Sequence, residues 1–226
     1  MKKSSLLMLS GGVKKYNTRT YELEEGIMRS KIIINWLLNM NDRPNIIQIA
    51  GGSASGKTSK VTKILEDHYR EKIIRISMDD YYFGKTYMQA EAKKGRELNW
   101  DQPEAIDIMQ LSEHIELLKI GKSIKKPIYS MKESEPYAKE DILPAKIIII
   151  EWLFALSSGL HELGDLNIFT HANRDTRLNR RILRDQERTG QTAEEITRYF
   201  NGTVEPMHQK YIESTSRNAH IIIENN

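Results

Sequence analysis

Gly51-Gly52-Ser53-Ala54-Ser55-Gly56-Lys57-Thr58 fits the phosphate-loop pattern G-x-x-x-x-G-K-[ST]. Its flanks are those the pattern requires. The apolar run Asn45–Ala50 before it predicts a buried strand. Lys57 to about Tyr69 after it predicts a helix with Val61, Ile64 and Leu65 on one face. Glycines at 51, 52 and 56 let the backbone curl so that successive N–H groups converge, and the start of the next helix adds the positive end of its dipole. Residues 51–58 therefore form a nucleoside-triphosphate site. Within it, Lys57 reaches the β- and γ-phosphates and Thr58 offers its hydroxyl to Mg²⁺. This pattern names the donor of a phosphoryl group and leaves the purpose open.

The rest of the chain alternates strands with helices, which predicts an α/β fold with a mostly parallel five-stranded sheet flanked by helices. The second strand is Lys72–Ser77, ending in Asp79 and Asp80. The third is Lys146-Ile147-Ile148-Ile149-Ile150-Glu151, whose four consecutive isoleucines match a parallel strand covered on both faces. Leu166–Thr170 and His220–Ile223 complete the set. Ligands bind beyond the carboxyl ends of such strands, which places Asp79 and Glu151 beside the phosphate loop.

Leu23–Met40 has helical apolar spacing and precedes the first of these strands, so residues 1–44 read as an N-terminal, partly helical extension to a phosphate-loop domain over 45–226. Residues 83–99 show no clear pattern. A helix is expected from about Trp100 to Gly121, with Pro103 in its first turn and Met109 and Ile120 among its apolar positions. Residues 123–137 read as short strands or a hairpin. Along 175–188, Arg177, Arg180, Arg181, Arg184 and Arg188 form one stripe, with Leu178 and Ile182 on the packing side. Such a helix is either salt-bridged through Asp175, Asp185 and Glu187 or an arginine-bearing lid over phosphates.

Bulk properties exclude several classes. With 34 basic and 31 acidic residues among 226, the net charge of +3 is too balanced to point to nucleic acid or an anionic membrane as partner. The absence of cysteine excludes disulfides, thiolate catalysis and Cys–zinc sites. The four-residue apolar run Leu6–Leu9 is shorter than the about 7–15 residues of a signal peptide, and no run approaches the about 18 of a membrane span. A cytoplasmic protein is expected.

From about Asn45 to Glu224 the chain resembles the uridine kinase family of phosphate-loop kinases. The motifs, in order, are 51–58, Ile76-Ser77-Met78-Asp79-Asp80-Tyr81-Tyr82, Asn99-Trp100-Asp101-Gln102-Pro103-Glu104-Ala105, Pro127-Ile128-Tyr129, Ile150-Glu151, Asp175–Asp185 and Ala219–Ile223. The resemblance implies transfer of the ATP γ-phosphate to the 5′-hydroxyl of uridine or cytidine. It places Asp79 as the base near Mg²⁺, Glu151 as the strand-end acid near the metal, and Asp101 on the ribose hydroxyls. Tyr82 and Tyr129 fall on the nucleoside pocket, and Arg177, Arg180, Arg181 and Arg184 on the lid. Family members are often tetramers, so a homo-oligomer is also implied.

The departures are on the acceptor side. Ser130 and the stretch 131–136 stand where the family has an Asp and a His that read the base, and Trp152 stands where it has a Gly. Relatives acting on a sugar, a sugar phosphate or a pantothenate-like alcohol share the donor motifs. Those enzymes, and a nucleotide-binding regulatory protein with an altered acceptor site, are the alternatives to a pyrimidine nucleoside kinase.

Overall fold

The core is a six-stranded, all-parallel sheet. A computed structural model describes residues 18–96, 100 and 102–226. Its strands are β1 (Arg19–Glu22), β2 (Asn45–Gly51), β3 (Ile73–Ser77), β6 (Ile147–Glu151), β7 (Leu166–His171) and β8 (Ile221–Glu224), in the order β1-β8-β7-β2-β6-β3. A separate antiparallel pair joins β4 (Ile124–Ser130) to β5 (Glu135–Ile142). The main helices are α1 (Leu23–Met40), α2 (Lys63–Tyr69), α3 (Lys85–Lys93), α4 (Ile108–Lys119), α5 (Arg174–Thr189) and α6 (Ala193–Tyr199).

The alternation of side chains along β6 builds two cores, one on each face of the sheet. Ile147 and Ile149 pack with Ile34 and Leu37 of α1 and with Val61 and Leu65. Ile148 and Ile150 pack with Leu111, Ile115 and Leu118 of α4. All four isoleucines of β6 are essentially inaccessible to solvent, as the run of four predicts.

The sheet has six strands rather than the expected five. The additional strand, Arg-Thr-Tyr-Glu, comes from the segment before residue 45 and pairs with β8, from the other end of the sequence, in the register Arg19↔Ile221 to Glu22↔Glu224. A four-residue edge strand needs no apolar run, because one of its sides faces solvent. The periodicity that marks a buried strand is therefore missing from it. Immediately after it, α1 lies close on β8. A Cβ at Gly26 would stand 2.7 Å from Cγ1 of Ile223, so glycine permits the approach.

Two helical expectations need correction. The unpatterned 83–99 stretch contains the nine-residue α3. The helix expected from about Trp100 is interrupted: Pro103–Ala105 makes one 3₁₀ turn, Ile106 is extended, and α4 starts only after Asp107, whose carboxylate accepts from the Gln110 N–H at 2.9 Å. That cap fixes the helix phase so that Leu111, Ile115 and Leu118 face inward. Met109 and Ile120, expected on the apolar face, are 86% and 66% exposed.

The final strand is held to β7 by His220. Its Nδ1 accepts from the Asn167 backbone N–H at 2.9 Å, and the His220 backbone N–H donates to the Asn167 carbonyl at 2.8 Å. Burial, with a smaller effect from His161, pulls the imidazole pKa from the ordinary 6.5 down to about 4. Between these values the unfolded chain binds a proton that the folded chain does not, so stability rises with pH across the window and is lost as pH falls through it. The loss is at most about 3 to 4 kcal/mol, at about 1.4 kcal/mol per pKa unit. Urea unfolding midpoints measured from pH 7 down to pH 4 should fall less steeply in His220→Gln than in the unmodified protein. Parallel slopes would show that His220 does not carry this linkage.

Candidate active site

The phosphate loop leaves the end of β2 and is shaped by contacts from three directions. Gly51 has φ 150°, and a Cβ there would collide with the Thr170 carbonyl on β7. Gly56 has φ 93° and stands against the Asn225 side chain, whose Nδ2 donates to the Ser55 carbonyl at 2.8 Å. Both positions require glycine, on conformational and steric grounds. The Ser55 N–H closes on the Gly52 carbonyl at 3.1 Å. After the loop, Lys57–Thr62 forms a wide helical turn that runs into α2, giving the strand–loop–helix order expected from the sequence.

Three strand ends meet at this loop. Because β6 lies between β2 and β3, Glu151 pairs in register with both Ile49 and Ser77. Asp79 follows two residues after β3, in a 3₁₀ turn capped by Ser77, whose Oγ accepts from the Asp79 N–H at 3.3 Å. Lys57, Asp79 and Glu151 are thereby brought within electrostatic reach of one another. Burial is the largest influence on the Lys57 ammonium and lowers its pKa. Glu151 and Asp79 oppose that shift, and Arg184 adds to it. Burial likewise raises the Asp79 pKa, while Lys57 and a hydrogen bond from Trp152 hold it down and Glu151 and Asp80 push it further up.

The donor set fits a hard divalent cation such as Mg²⁺. The Thr58 hydroxyl lies 2.5 Å from Glu151 Oε1, and Glu151 Oε2 is buried without a hydrogen-bond partner. The Arg75 guanidinium approaches Oε2 to 3.7 Å. An orphaned carboxylate oxygen beside a hydroxyl is an oxygen-ligand arrangement that Mg²⁺ completes with water and phosphate oxygens. Among the described residues no cluster of three or more His, Cys, Asp or Glu side chains forms an all-protein metal cage.

Comparison with known proteins identifies the family. The model of the phosphoribulokinase/uridine kinase family matches residues 46–226. The chain belongs to that family. A uridine kinase of Bacillus pumilus is 37% identical over 186 residues, covering 81% of this chain and 88% of the relative. A uridine kinase of Clostridium novyi is 36% identical over 185 residues, covering 80% and 87%. Among solved structures, phosphoribulokinase from Rhodobacter spheroides superposes with a TM-score of 0.63 at 18% identity, over 81% of this chain and 71% of that one. D-glycerate 3-kinase from Cryptococcus neoformans superposes with a TM-score of 0.62 at 15% identity, over 88% and 95%. Similarity at these identities speaks for the shared fold.

The two adjacent aspartates after β3 point to different tasks. Asp79 faces the phosphate loop. Asp80 fastens the β4–β5 hairpin: its Oδ2 takes a 2.5 Å ion pair from Lys126, and its Oδ1 accepts from the Tyr129 N–H at 3.3 Å. Lys126 is itself buried and also pairs with Glu140 at 2.8 Å. Asp80 therefore carries the structural half of the carboxylate pair. Tyr82 and Tyr129 come together, with ring centroids 5.6 Å apart, and Trp100 and Trp152 stand edge-on to Tyr82 at 5.6 and 5.7 Å. Asp101 lies outside the described residues.

The stretch that departs from the family pattern has a structural occupation. Ser130 Oγ accepts from the Glu133 N–H within the hairpin turn. Glu135 accepts from both the N–H and the hydroxyl of Thr86, at 2.8 and 2.6 Å. The Lys85 N–H adds a bond to the Ser134 carbonyl at 2.7 Å. Ser134 and Glu135 thus dock the hairpin tip on the start of α3. No signal in the sequence marks this, because the partners are 49 residues apart.

The arginine helix divides its stripe between structural and loop-facing roles. Of the stripe, Arg177 is buried and Arg180, Arg181 and Arg184 are half-buried, as are Leu178 and Ile182, while Arg188 is exposed and Leu183 is 71% exposed. Arg177 is almost fully buried. It pairs with Glu205 at 2.7 Å, donates to the Ala172 carbonyl, and lies behind Gly52. That makes it a structural ion pair rather than the phosphate contact expected of it. Arg180 donates to the Asn225 carbonyl at 2.9 Å, tying α5 to the chain segment that braces Gly56. Arg181 donates to Ser53 Oγ at 2.9 Å, directly on the phosphate loop. Asp185 bridges Arg181 and Arg184, at 3.0 and 2.7 Å. The salt-bridged reading and the phosphate-facing reading of this helix thus apply to different arginines. Three contacts at the site were not foreseen: Asn225 on Ser55, Arg181 on Ser53, and Trp152 on Asp79. All three join residues more than 70 positions apart in the sequence.

Proposed function

We propose that the protein transfers the γ-phosphate of ATP to the 5′-hydroxyl of a pyrimidine nucleoside, uridine or cytidine, in the cytoplasm. The observation that carries this reading is the convergence of Lys57, Asp79 and the Thr58–Glu151 pair at one edge of the sheet, with the Tyr82–Trp100–Tyr129 ring cluster joined to Asp79 through Trp152. The uridine kinases among its relatives supply the acceptor class. Among the described residues no helix is long and apolar enough to cross a membrane.

In this reading the loop N–H groups of 52–56 hold the phosphates, and Lys57 neutralises charge that builds on the transferred group. Thr58 and Glu151 would hold Mg²⁺, which would supply further neutralisation of phosphate charge. Asp79 orients the acceptor hydroxyl and takes its proton. Arg181 and Arg184 exchange their Ser53 and Asp185 partners for phosphate oxygens as the lid closes, which keeps water from competing as acceptor. Asp101, by its match to the family motif, holds the ribose hydroxyls, and Tyr82 and Tyr129 wall the nucleoside.

The test is Mg²⁺-dependent ADP release against uridine, cytidine, adenosine, pantothenate, sugars and sugar phosphates. Release with uridine or cytidine, and little with the others, is the expected result. Turnover with a different alcohol alone would overturn the acceptor assignment and keep the donor chemistry. ATP binding without turnover on any alcohol would overturn the kinase reading in favour of a regulatory nucleotide-binding protein.

A further inference from the structure

Resting on that kinase reading, we propose that Trp152 is a positioning residue for transfer: its indole N–H fixes one oxygen of Asp79 so that the other is presented to the acceptor hydroxyl. The indole Nε1 donates to Asp79 Oδ1 at 2.7 Å, a short bond of the charge-assisted kind. The ring that carries this donor is immobilised. Trp152 is 3% exposed, packs edge-on to Phe154 at 4.4 Å and to Tyr82 at 5.7 Å, and its backbone N–H donates to the Ile49 carbonyl at 3.1 Å. Its place in the fold is thus set by β2, the strand that leads into the phosphate loop.

The chemistry of the donor suits the task. An indole has one N–H and no acceptor, so it can hold a carboxylate oxygen but cannot take the proton that the other oxygen receives. The charged groups around Asp79 are less directional: Lys57 and Glu151 act on it at longer range, and Asp80 is engaged by Lys126 and Tyr129. The main chain of Asp79 is set separately by Ser77. Backbone and side chain are therefore fixed by different partners, and rotation about the carboxylate is the freedom that Trp152 removes. Orientation of this kind counts, because reacting groups must sit in a near-attack geometry for the barrier to fall. The same ring touches Tyr82 of the acceptor wall, so base and acceptor side share one rigid support.

A double-mutant cycle tests this, with the acceptor taken as the alcohol selected by the panel above. Trp152→Phe removes the N–H and keeps an aromatic ring. Benzothienylalanine at position 152 removes the N–H with the ring shape intact, which covers the case where Phe disturbs folding. Either should lower kcat roughly 10-fold or more, the size expected for a hydrogen bond to a charged group, with ATP affinity and acceptor KM close to unchanged. In the Asp79→Asn background the same substitutions should bring no further loss of kcat, because the bond acts through the carboxylate. An equal loss in both backgrounds would show a packing role and overturn the proposal. So would no loss in the Asp79 background. Full transfer by Asp79→Asn alone would overturn the base assignment itself, which separates that failure from a failure of the Trp152 role.

Discussion

Asp79→Asn is expected to leave ATP binding close to unchanged and to lower transfer roughly 100-fold or more, the usual scale of a general-base contribution. The argument is geometric. In the proposed reading the phosphates are held by the loop and Lys57, and the loop's bracing contacts do not involve the Asp79 carboxylate. The loop is instead braced by Asn225 and Arg181, and its glycines are set by β7 and by that same asparagine. ATP affinity is therefore carried elsewhere. An amide at position 79 would also be held in an unproductive orientation. Its oxygen would accept from the Trp152 indole, as Asp79 Oδ1 does at 2.7 Å, and its NH₂ would then face the acceptor. That puts a donor where an acceptor of the hydroxyl proton is needed. Calorimetric ATP titration beside single-turnover transfer separates the two effects. Full transfer by the variant would remove Asp79 from the base role, and a loss confined to ATP affinity would assign it to the metal alone.

What the sequence disclosed about this fold followed from local signals. The strand before the loop, α1 with both its ends, and the four-isoleucine strand all declare themselves through runs or periodicity within a single element, and each is found where it was expected. The loop residues were legible because a phosphate cradle imposes residue types at fixed spacing on a contiguous stretch. Elements whose character depends on a distant partner were not legible. β1 is a strand only because β8, from the other end of the chain, offers it a parallel edge. The burial of Arg177 depends on Glu205, 28 residues later, so a stripe of arginines that reads as a solvent or ligand face turns out to be partly core. Met109 was misplaced by one cap, that of Asp107, which shifted the start of its helix. At the site, the sequence brought out Lys57, Thr58, Asp79 and Glu151, which the structure places together. The resemblance assigned Asp79 as the base, but no signal in the sequence gave Asp80 a structural task of its own. That task rests on Lys126, a buried lysine indistinguishable in sequence from the exposed Lys125 beside it.

Lys57→Ala should weaken ATP binding by roughly 10- to 100-fold and lower kcat by about 10²- to 10³-fold. The first estimate is the loss of a hydrogen bond to a charged group, about 1.5–3 kcal/mol, at about 1.4 kcal/mol per tenfold. The second is the scale on which a preorganised donor aimed at transition-state charge contributes. Two features of the site make the loss larger than one contact. Lys57 is the cation that holds down the pKa of Asp79, and Glu151 pushes that pKa up. Removing the ammonium leaves these two carboxylates facing each other without it, in a setting where burial already disfavours their charge. Arginine at this position would not restore function, because a planar guanidinium is longer than an ammonium and cannot be accommodated as a point charge between loop and phosphates. The decisive comparison is ATP against ADP. A lysine that reaches the γ-phosphate should cost ATP more affinity than ADP when it is removed, so the ratio of the two dissociation constants should move toward unity. If calorimetry instead showed ATP and ADP weakened by the same factor with kcat intact, Lys57 would be a determinant of nucleotide binding only, and the charge neutralisation at the transferred group would have to come from Arg181, Arg184 and the metal.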